Sequence, residues 1–193
     1  MIRQPNPATK RKKSSTPHRS ILNRRARIVQ KRYDATAHLY DSLYSEEQTY
    51  KVKLIDAFQL RFEGMVLDIG CGTGISMGWK GMERSVGVDI SKEMLELASG
   101  KGYDAVQADM CHLPFRDRSF RAVTSITSFH HATNRRMALK EAYRVLHTGG
   151  YFFLTLLKAS DWTKQLRQIR RYRGFRSVGF MDEGKDYLLA MRK

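Results

Sequence analysis

The sequence predicts a doubly wound α/β domain in which seven strands form a mostly parallel sheet, closed by an antiparallel hairpin at the C-terminus. Two observations lead to this fold class. Short apolar runs alternate with helical patterns along the chain, and strands that alternate with helices are joined by parallel crossover connections. The length of 193 residues is also sufficient for one domain with a single buried core.

The predicted elements follow one another without an internal repeat. A helical pattern covers residues 35–58, with a break expected near Ser45. Three further helical patterns cover residues 91–99, 134–146 (closed by Gly149 and Gly150) and 160–172. Seven short apolar runs predict the strands: residues 65–69, 85–89, 105–108, 122–126, 151–157, 175–181 and 187–191. An Asp-Glu-Gly turn separates the last two runs, and it predicts the hairpin.

The positive charge of the chain is concentrated in two segments. The net charge is +16, from 35 basic and 19 acidic residues. Residues 1–33 contain eleven basic residues and no acidic one, and residues 159–176 contain six basic residues and one acidic one, so the rest of the chain is neutral. Clustered charge of one sign attracts polyanions, which favours RNA as a partner of residues 1–33 and 160–176. An anionic membrane surface is the alternative.

The N-terminal segment has the composition of a disordered extension. Residues 1–32 are therefore predicted to precede a folded domain at 33–193, although residues 20–33 also have the spacing of a basic amphipathic helix. No apolar run is long enough for a transmembrane segment. The two cysteines have neither disulfide nor metal-site spacing, which suggests a reducing compartment. We expect the cytoplasm, with nuclear or organellar targeting by the basic N-terminus left open.

A glycine-rich turn after the first predicted strand is the most specific motif. Residues 66–74 read Val-Leu-Asp-Ile-Gly-Cys-Gly-Thr-Gly, so the strand ends in Asp68 and then in alternating glycines that allow a ligand to approach the backbone. Asp89 ends the second strand at the spacing of a ribose-binding carboxylate, and Asp109 follows the third. Three carboxylates on one sheet edge would repel a pyrophosphate but suit a ligand with cationic centres. S-adenosylmethionine is such a ligand.

With these motifs, the chain resembles the class I S-adenosylmethionine-dependent methyltransferases, particularly the group that includes the quinone-biosynthesis enzymes. The resemblance covers residues 33–157 and depends on VLDIGCGTG, VGVDIS, QADMCHLPFRDRSF and the strand at 122–126 followed by Phe129-His130-His131. It implies a Rossmann-like fold, a methyltransferase activity and S-adenosylmethionine as the cofactor. Residues 125–136 are also similar to tRNA wobble-uridine carboxymethyl methyltransferases, and VGVDIS with Gly74-Ile75-Ser76 to rRNA guanine-N7 methyltransferases. Both families often work with a small zinc-binding activator protein.

The resemblance also implies the cofactor-binding residues. They are Asp68, Gly70, Gly72, Gly74, Asp89, Ile90, Asp109, Met110, Ile126 and Tyr40. In the family's pattern, Asp68 and the three glycines would hold the methionine portion of the cofactor, and Asp89 would bind its ribose. Ile90, Asp109 and the Met110 amide then contact the adenine, Ile126 contacts the cofactor from the fourth strand, and Tyr40 covers the sulfonium.

Two histidines after the fourth strand are the candidates for catalysis. His131 and His130 would serve as a base or would orient the methyl acceptor. In the alternative, one of them caps the next helix and the other lines the cofactor pocket. Arg135 and Arg136 would grip an anionic acceptor or only solvate a helix face. We expect RNA methylation; the alternatives are a small-molecule or quinone methyltransferase at a membrane surface, and a non-catalytic assembly factor that binds the cofactor.

Overall fold

A computed structural model of the protein describes residues 24–60, 63–82 and 84–193. The four α-helices are α1 (Arg24–Lys53), α2 (Lys92–Gly100), α3 (Arg135–Val145) and α4 (Trp162–Arg171). The seven strands are β1 (Val66–Ile69), β2 (Ser85–Asp89), β3 (Ala105–Gln107), β4 (Phe120–Ser125), β5 (Leu146–Leu157), β6 (Arg176–Asp182) and β7 (Asp186–Arg192). Short 3-10 helices cover Leu54–Phe58, Ser76–Gly78 and Phe129–His131.

All seven strands belong to one sheet, in the order β3-β2-β1-β4-β5-β7-β6. The first five strands pair in parallel, whereas β7 is antiparallel to both β5 and β6. This architecture confirms the predicted fold class. The chain moves outward from β1 to β3 and then returns to place β4 on the other side of β1, so the strand order reverses between β1 and β4. Ligands of open α/β sheets bind at such a reversal, beside the carboxyl ends of the strands.

The first helix differs from its prediction. We expected a helix over residues 35–58 with a break near Ser45, but α1 runs unbroken from Arg24 to Lys53 and only then tightens into a 3-10 turn. Residues 24–32 are helical, as the amphipathic spacing of residues 20–33 indicated and as the assignment to a disordered extension did not; residues 1–23 lie outside the described part of the chain. Within that part, no helix combines the length and the apolar character needed to cross a bilayer.

The ends of α2 and α3 follow local capping chemistry. Ser91 Oγ accepts a hydrogen bond from the Met94 amide at 3.2 Å, and Asn134 Oδ1 accepts one from the Met137 amide at 3.1 Å. Asn134 therefore caps α3, and neither histidine does. Gly149 and Gly150 do not close α3 as expected, because β5 already begins at Leu146. The two glycines lie where the pairing of β4 with β5 changes register.

The sheet is covered on both faces, as an α/β fold requires. On one face, Val52 and Ile55 from the end of α1 and its 3-10 turn pack against Val66, Ala122 and Phe153. On the other face, the buried side of α3 and Ile169 of α4 pack against Phe152 and Leu154. This arrangement leaves the first half of α1 free to extend across the carboxyl ends of the strands, where it meets α2.

Candidate active site at the carboxyl edge of the sheet

A cavity of about 670 Å³ lies at the carboxyl ends of β1, β2 and β4, under the first half of α1. Its position at the reversal of strand order is the usual place for a ligand in an open α/β sheet. Eight of the ten predicted cofactor-binding residues line it: Gly70, Gly72, Asp89, Ile90, Asp109, Met110, Ile126 and Tyr40. His131 also lines it, together with Ala26, Val29 and Tyr33 from α1.

The glycine-rich turn forms the floor of the cavity. Gly70 and Gly72 have φ angles of 75° and 54°, a region that disfavours residues with a Cβ. A Cβ at Gly70 would also lie only 2.6 Å from Ser128 Oγ. Asp68 lies outside the cavity lining, and its buried carboxylate accepts hydrogen bonds from Ser76 Oγ and Thr124 Oγ1. In this position Asp68 supports the turn from below, and its role in holding the methionine portion of the cofactor stays a prediction.

Gly74 likewise lies outside the cavity lining. Its φ angle is 82°, and a Cβ there would come within 3.0 Å of the Tyr103 ring. Gly74 is thus required by the way the turn packs against Tyr103. Its direct contact with a ligand stays a prediction.

Two acidic residues face the cavity from neighbouring strand ends. Asp89 accepts hydrogen bonds from the Gly72 amide and the Ser91 amide, each at 2.9 Å. Burial, and to a smaller extent the charge of Asp34, raises the pKa of Asp89. Asp109 accepts a hydrogen bond from the Cys111 amide at 2.8 Å. Each carboxylate oxygen has two lone pairs, so both groups keep acceptor capacity for a ligand.

Helix α1 covers the cavity and is tied to its far side. Asp41 pairs with Lys101 Nζ at 2.5 Å and accepts a hydrogen bond from Thr73 Oγ1 of the glycine-rich turn. Asp34 accepts one from Ser91 Oγ at 2.6 Å. Tyr40 lies above the turn, where a Cβ at Gly72 would be 3.8 Å from its ring. Burial raises the pKa of Tyr40, so its phenol stays protonated and its ring is available to face a cation.

His131 forms a pair with a tyrosine of α1 that the sequence analysis did not select. Tyr33 Oη lies 2.7 Å from His131 Nε2, and the two rings meet edge to face. Burial, together with the nearby charges of His130, Arg32 and Arg25, lowers the pKa of His131 to about 3. A neutral imidazole with so low a pKa is a weak base. The low pKa thus speaks for the orienting role, and which of the two roles His131 has stays a prediction. Tyr33 could have been found from its spacing of seven residues from Tyr40, which places both on one helix face.

Thr127 lines the cavity in a strained backbone conformation. Its φ angle is 52°, which is unusual for a β-branched residue and costs on the order of 1–3 kcal/mol. Its amide donates to Thr155 Oγ1 at 2.6 Å, and its hydroxyl accepts a hydrogen bond from Lys51 Nζ at 3.2 Å. Lys51 in turn forms a salt bridge with Asp186 at 2.9 Å, and both side chains are 0% exposed. This buried pair holds the cavity wall in place.

A group of polar atoms beside His130 has no hydrogen-bond partner. Within the described part of the chain, the buried side-chain atoms of this kind are His130 Nδ1, Arg135 Nε, Gln165 Oε1 and Asp186 Oδ1. Arg135 donates two hydrogen bonds to Asp161, at 3.0 and 2.7 Å, and Gln165 donates one to the same carboxylate. The rings of His130 and His131 lie with their centroids 3.9 Å apart and their planes tilted by 44°. His130, Arg135, Gln165 and Asp186 do not themselves line the cavity, so these buried atoms lie behind its wall.

Comparison with known proteins now identifies the domain. A family model described as a methyltransferase domain matches residues 67–154, which include the glycine-rich turn, Asp89 and both histidines. The chain carries a class I S-adenosylmethionine-dependent methyltransferase domain. S-adenosylmethionine is its cofactor. The resemblance, the class of enzyme and the cofactor that the sequence analysis predicted are thereby confirmed.

Individual relatives resemble this methyltransferase domain over part of their length. An uncharacterized protein of Methanocaldococcus jannaschii, MJ1252, is 35% identical over 136 residues, which are 69% of this chain and 53% of the relative. The tRNA (carboxymethyluridine(34)-5-O)-methyltransferase of Arabidopsis thaliana is 30% identical over 141 residues, which are 69% of this chain and 34% of the relative. The chain therefore spans about half or less of the length of these relatives.

A solved structure shares the fold of the methyltransferase domain. It belongs to the complex between the Haloferax volcanii Trm112 methyltransferase activator and a methyltransferase. The TM-score is 0.68 at 19% sequence identity, and the match covers 83% of this chain and 96% of that chain. At this identity the likeness is one of fold.

The cavity of the methyltransferase domain fits S-adenosylmethionine. The glycine-rich turn leaves room for a ligand where a Cβ at Gly72 would fill the space toward Tyr40 and Met94. Asp89 and Asp109 provide anionic acceptors for hydroxyl and amino groups, and Tyr40 provides an aromatic face for the sulfonium. The role of each of these residues in cofactor binding stays a prediction.

We expect the His131 imidazole to stay neutral from about pH 8 down to about pH 5, whereas a free histidine titrates near pH 6.5. The reason is its burial beneath α1 among His130, Arg32 and Arg25, which disfavours a further positive charge. Proton–nitrogen NMR of the imidazole rings measures this directly, and a His131→Asn variant assigns the signal. A titration midpoint near 6.5 would contradict the orienting role and restore His131 as a candidate base.

Proposed function

We propose that the protein transfers a methyl group from S-adenosylmethionine to RNA, with tRNA or rRNA as the substrate. The observation that carries this proposal is the charge of the first turns of α1. Its exposed cations are Arg24, Arg25, Arg27, Lys31 and Arg32, and no acidic residue lies among them. Because Ala26 and Val29 of the same turns line the cofactor cavity, a polyanion attracted to these cations would arrive at the cavity entrance.

A second positive surface supports the same substrate class. Helix α4 buries Gln165 and Ile169 and exposes four cations on its other side: Lys164, Arg167, Arg170 and Arg171. We define these four residues as the basic face of α4. Charge of this kind fits contact with phosphates, which positions a nucleic acid without reading its sequence. With the start of α1, it makes two surfaces on which RNA would bind, within the predicted segments 1–33 and 160–176.

The acceptor side of the cavity suits an atom that needs little help in losing a proton. His131 has a pKa of about 3, and burial raises the pKa of the Tyr33 phenol, so neither side chain removes a proton readily. S-adenosylmethionine supplies an activated methyl group, and alignment is the main task left to the protein. Tyr33 and His131, which both line the cavity, would hold the acceptor atom in line with that methyl group.

The relatives and the fold neighbour support two further parts of the proposal. The Arabidopsis thaliana relative is named as a tRNA methyltransferase, which favours tRNA over rRNA. The fold neighbour was solved in complex with the Trm112 methyltransferase activator, which supports the expected partnership with a small zinc-binding activator protein. The full chain should therefore be assayed both alone and with such an activator.

Labelled S-adenosylmethionine tests the proposal. The 193-residue chain is incubated with total RNA, protein and lipid fractions, and incorporation of the methyl label is measured in each. We expect label in RNA, at a rate that falls steeply with salt because phosphate contacts release counterions. A Gly70→Val variant, which cannot form the glycine-rich turn, controls for contaminating enzymes.

The other outcomes select the alternative functions. Label confined to the lipid fraction would replace RNA with a small molecule at a membrane surface. If the protein binds the cofactor but labels no fraction, with or without the activator, it would be a non-catalytic assembly factor.

A further inference from the structure

A second, strongly basic cavity lies at the edge of the sheet opposite the carboxyl ends of the parallel strands, where β5 and β6 begin and β7 ends. Its volume is about 570 Å³, and it is lined by Arg173, Gly174, Phe175, Arg176, Arg192 and Lys193. Four of these six residues are cationic and none is acidic. We define this cavity as the distal pocket. Neither the cofactor nor the two histidines account for it.

The distal pocket is far from the cofactor cavity. Arg176 pairs with Arg192 across β6 and β7, and Arg192 pairs with Tyr151 of β5. Asp186, at the other end of β7, pairs with Leu157 beside the carboxyl edge. The seven paired positions of β5 and β7 between these ends correspond to roughly 20 Å. One nucleoside cannot contact both cavities.

The base of the distal pocket is fixed by packing. The Phe175 ring contacts the rings of Tyr143 and Phe152, with centroids 5.4 and 5.5 Å apart. Arg192 Nε donates to the Gly149 carbonyl at 3.2 Å, and its guanidinium lies over the Tyr151 ring. Lys193 Nζ donates to two backbone carbonyls at the end of α3 and the start of β5, each at 2.7 Å. These contacts fix Phe175, Arg192 and Lys193 in the wall of the distal pocket, and Arg173 and Arg176 are its two other cations.

Arg173 and Arg176 are the cations left free for a ligand. Both are exposed, and within the described part of the chain neither forms a salt bridge. A guanidinium presents a planar fork of donors that matches the oxygens of a phosphate. Keeping two such groups exposed beside Arg192 without a carboxylate is unfavourable by mutual repulsion, and an anion bound between them would relieve it.

Helix α4 connects the distal pocket with the cofactor cavity. Its first turn lies near the carboxyl edge, because Asp161 directly before it binds Arg135 at the start of α3. Its last turn ends at Arg171, two residues before Arg173. The basic face of α4 therefore forms a continuous positive surface between the two edges of the sheet.

We propose that the distal pocket binds phosphates of the RNA backbone, so that the substrate extends from the cofactor cavity along α4 to the opposite edge of the sheet. This inference rests on the proposed function, because it requires that RNA is the methyl acceptor. It adds that recognition depends on the length of the RNA, because phosphates roughly 20 Å from the methylated nucleotide contribute to binding.

A double variant, Arg173→Ala/Arg176→Ala, tests the distal pocket. The probes are a fluorescently labelled, unmodified tRNA transcript and a short single-stranded fragment of it, measured by anisotropy over a salt series. We expect the affinity for the transcript to fall about ten-fold or more at low salt. The slope of log affinity against log salt should become shallower by about 1.5, the value for two phosphate contacts. The affinities for the short fragment and for S-adenosylmethionine should stay unchanged.

A matched variant separates the distal pocket from net charge alone. Lys80→Ala/Arg84→Ala also removes two exposed cations. They precede β2, which lies toward the end of the strand order remote from β6 and β7. We expect this variant to change the transcript affinity less than two-fold. Equal losses in the two double variants, or no loss in Arg173→Ala/Arg176→Ala, would overturn the distal pocket while the proposed function stands. A wild-type chain that neither binds nor methylates RNA would overturn both.

Discussion

Replacing Lys51 with methionine is expected to lower the free energy of unfolding by about 3–5 kcal/mol, the cost of leaving a buried charge without its partner. Lys51 and Asp186 are both 0% exposed, and their 2.9 Å salt bridge joins α1 to the first residue of β7. Methionine fills a similar volume, so the effect comes mainly from the uncompensated Asp186 carboxylate. Urea denaturation followed by circular dichroism measures the change.

A second lysine pair provides the control for this prediction. Lys92 and Glu96 form a salt bridge of 2.6 Å whose side chains are 66% and 56% exposed. Because exposed pairs contribute little, Lys92→Met should change the free energy of unfolding by less than about 1 kcal/mol. The double variant Lys51→Met/Asp186→Leu should recover most of the lost stability, since it removes both buried charges. A Lys51→Met protein as stable as the wild type would show that the pair is not closed in solution.

The same pair connects stability with the cofactor cavity. Lys51 Nζ also contacts Thr127 Oγ1, and Thr127 holds a left-handed backbone in the cavity wall. Strained residues persist where their surroundings fix them, so loss of Lys51 removes one of the restraints on Thr127. We therefore place the buried pair beneath the active site as a support for its wall.

The elements that the sequence predicted well are those determined by local patterns. Strand β2 begins and ends where predicted, at Ser85 and Asp89, because a short apolar run is bounded by a charged residue and a helix cap. Ser91 and Asn134 accept the capping hydrogen bonds at the starts of α2 and α3. The cofactor-binding motif could be predicted for the same reason, because its glycines and Asp89 are recognised by their spacing in the sequence.

The features that the sequence did not reveal depend on contacts between distant segments. Lys51 resembles a residue on a solvated helix face, and only packing of α1 against β7 buries it. Tyr33 and His131 are 98 residues apart, so their hydrogen bond leaves no local signal. The spacing of residues 20–33 did indicate a helix, but not that Ala26 is buried and lines the cavity, because this depends on the helix continuing across the sheet edge. In each case tertiary contacts override the local pattern.

Replacing Asp89 with alanine is expected to weaken the affinity for S-adenosylmethionine by about ten- to a hundred-fold. Hydrogen bonds to a charged group contribute about 1.5–3 kcal/mol, and the carboxylate faces the cavity at the position predicted for the ribose. Asp89 also accepts the Gly72 and Ser91 amides, so alanine would leave the glycine-rich turn without two of its restraints. Isothermal titration calorimetry with S-adenosylmethionine measures the loss, and Asp104→Ala, an exposed acid before β3, should show none.

An Asp89→Asn variant separates the charge from the support of the turn. Asparagine keeps one acceptor oxygen for a backbone amide but carries no charge, so cofactor affinity should still fall about ten-fold if the ionised carboxylate binds the ligand. The pH dependence provides an independent measure. Burial raises the pKa of Asp89, so wild-type affinity should decline on acidification at a higher pH than an ordinary aspartate would give, and Asp89→Asn should lack this decline. If Asp89→Asn bound S-adenosylmethionine as tightly as the wild type, Asp89 would only support the turn, and the predicted contact of its carboxylate with the ribose would be wrong.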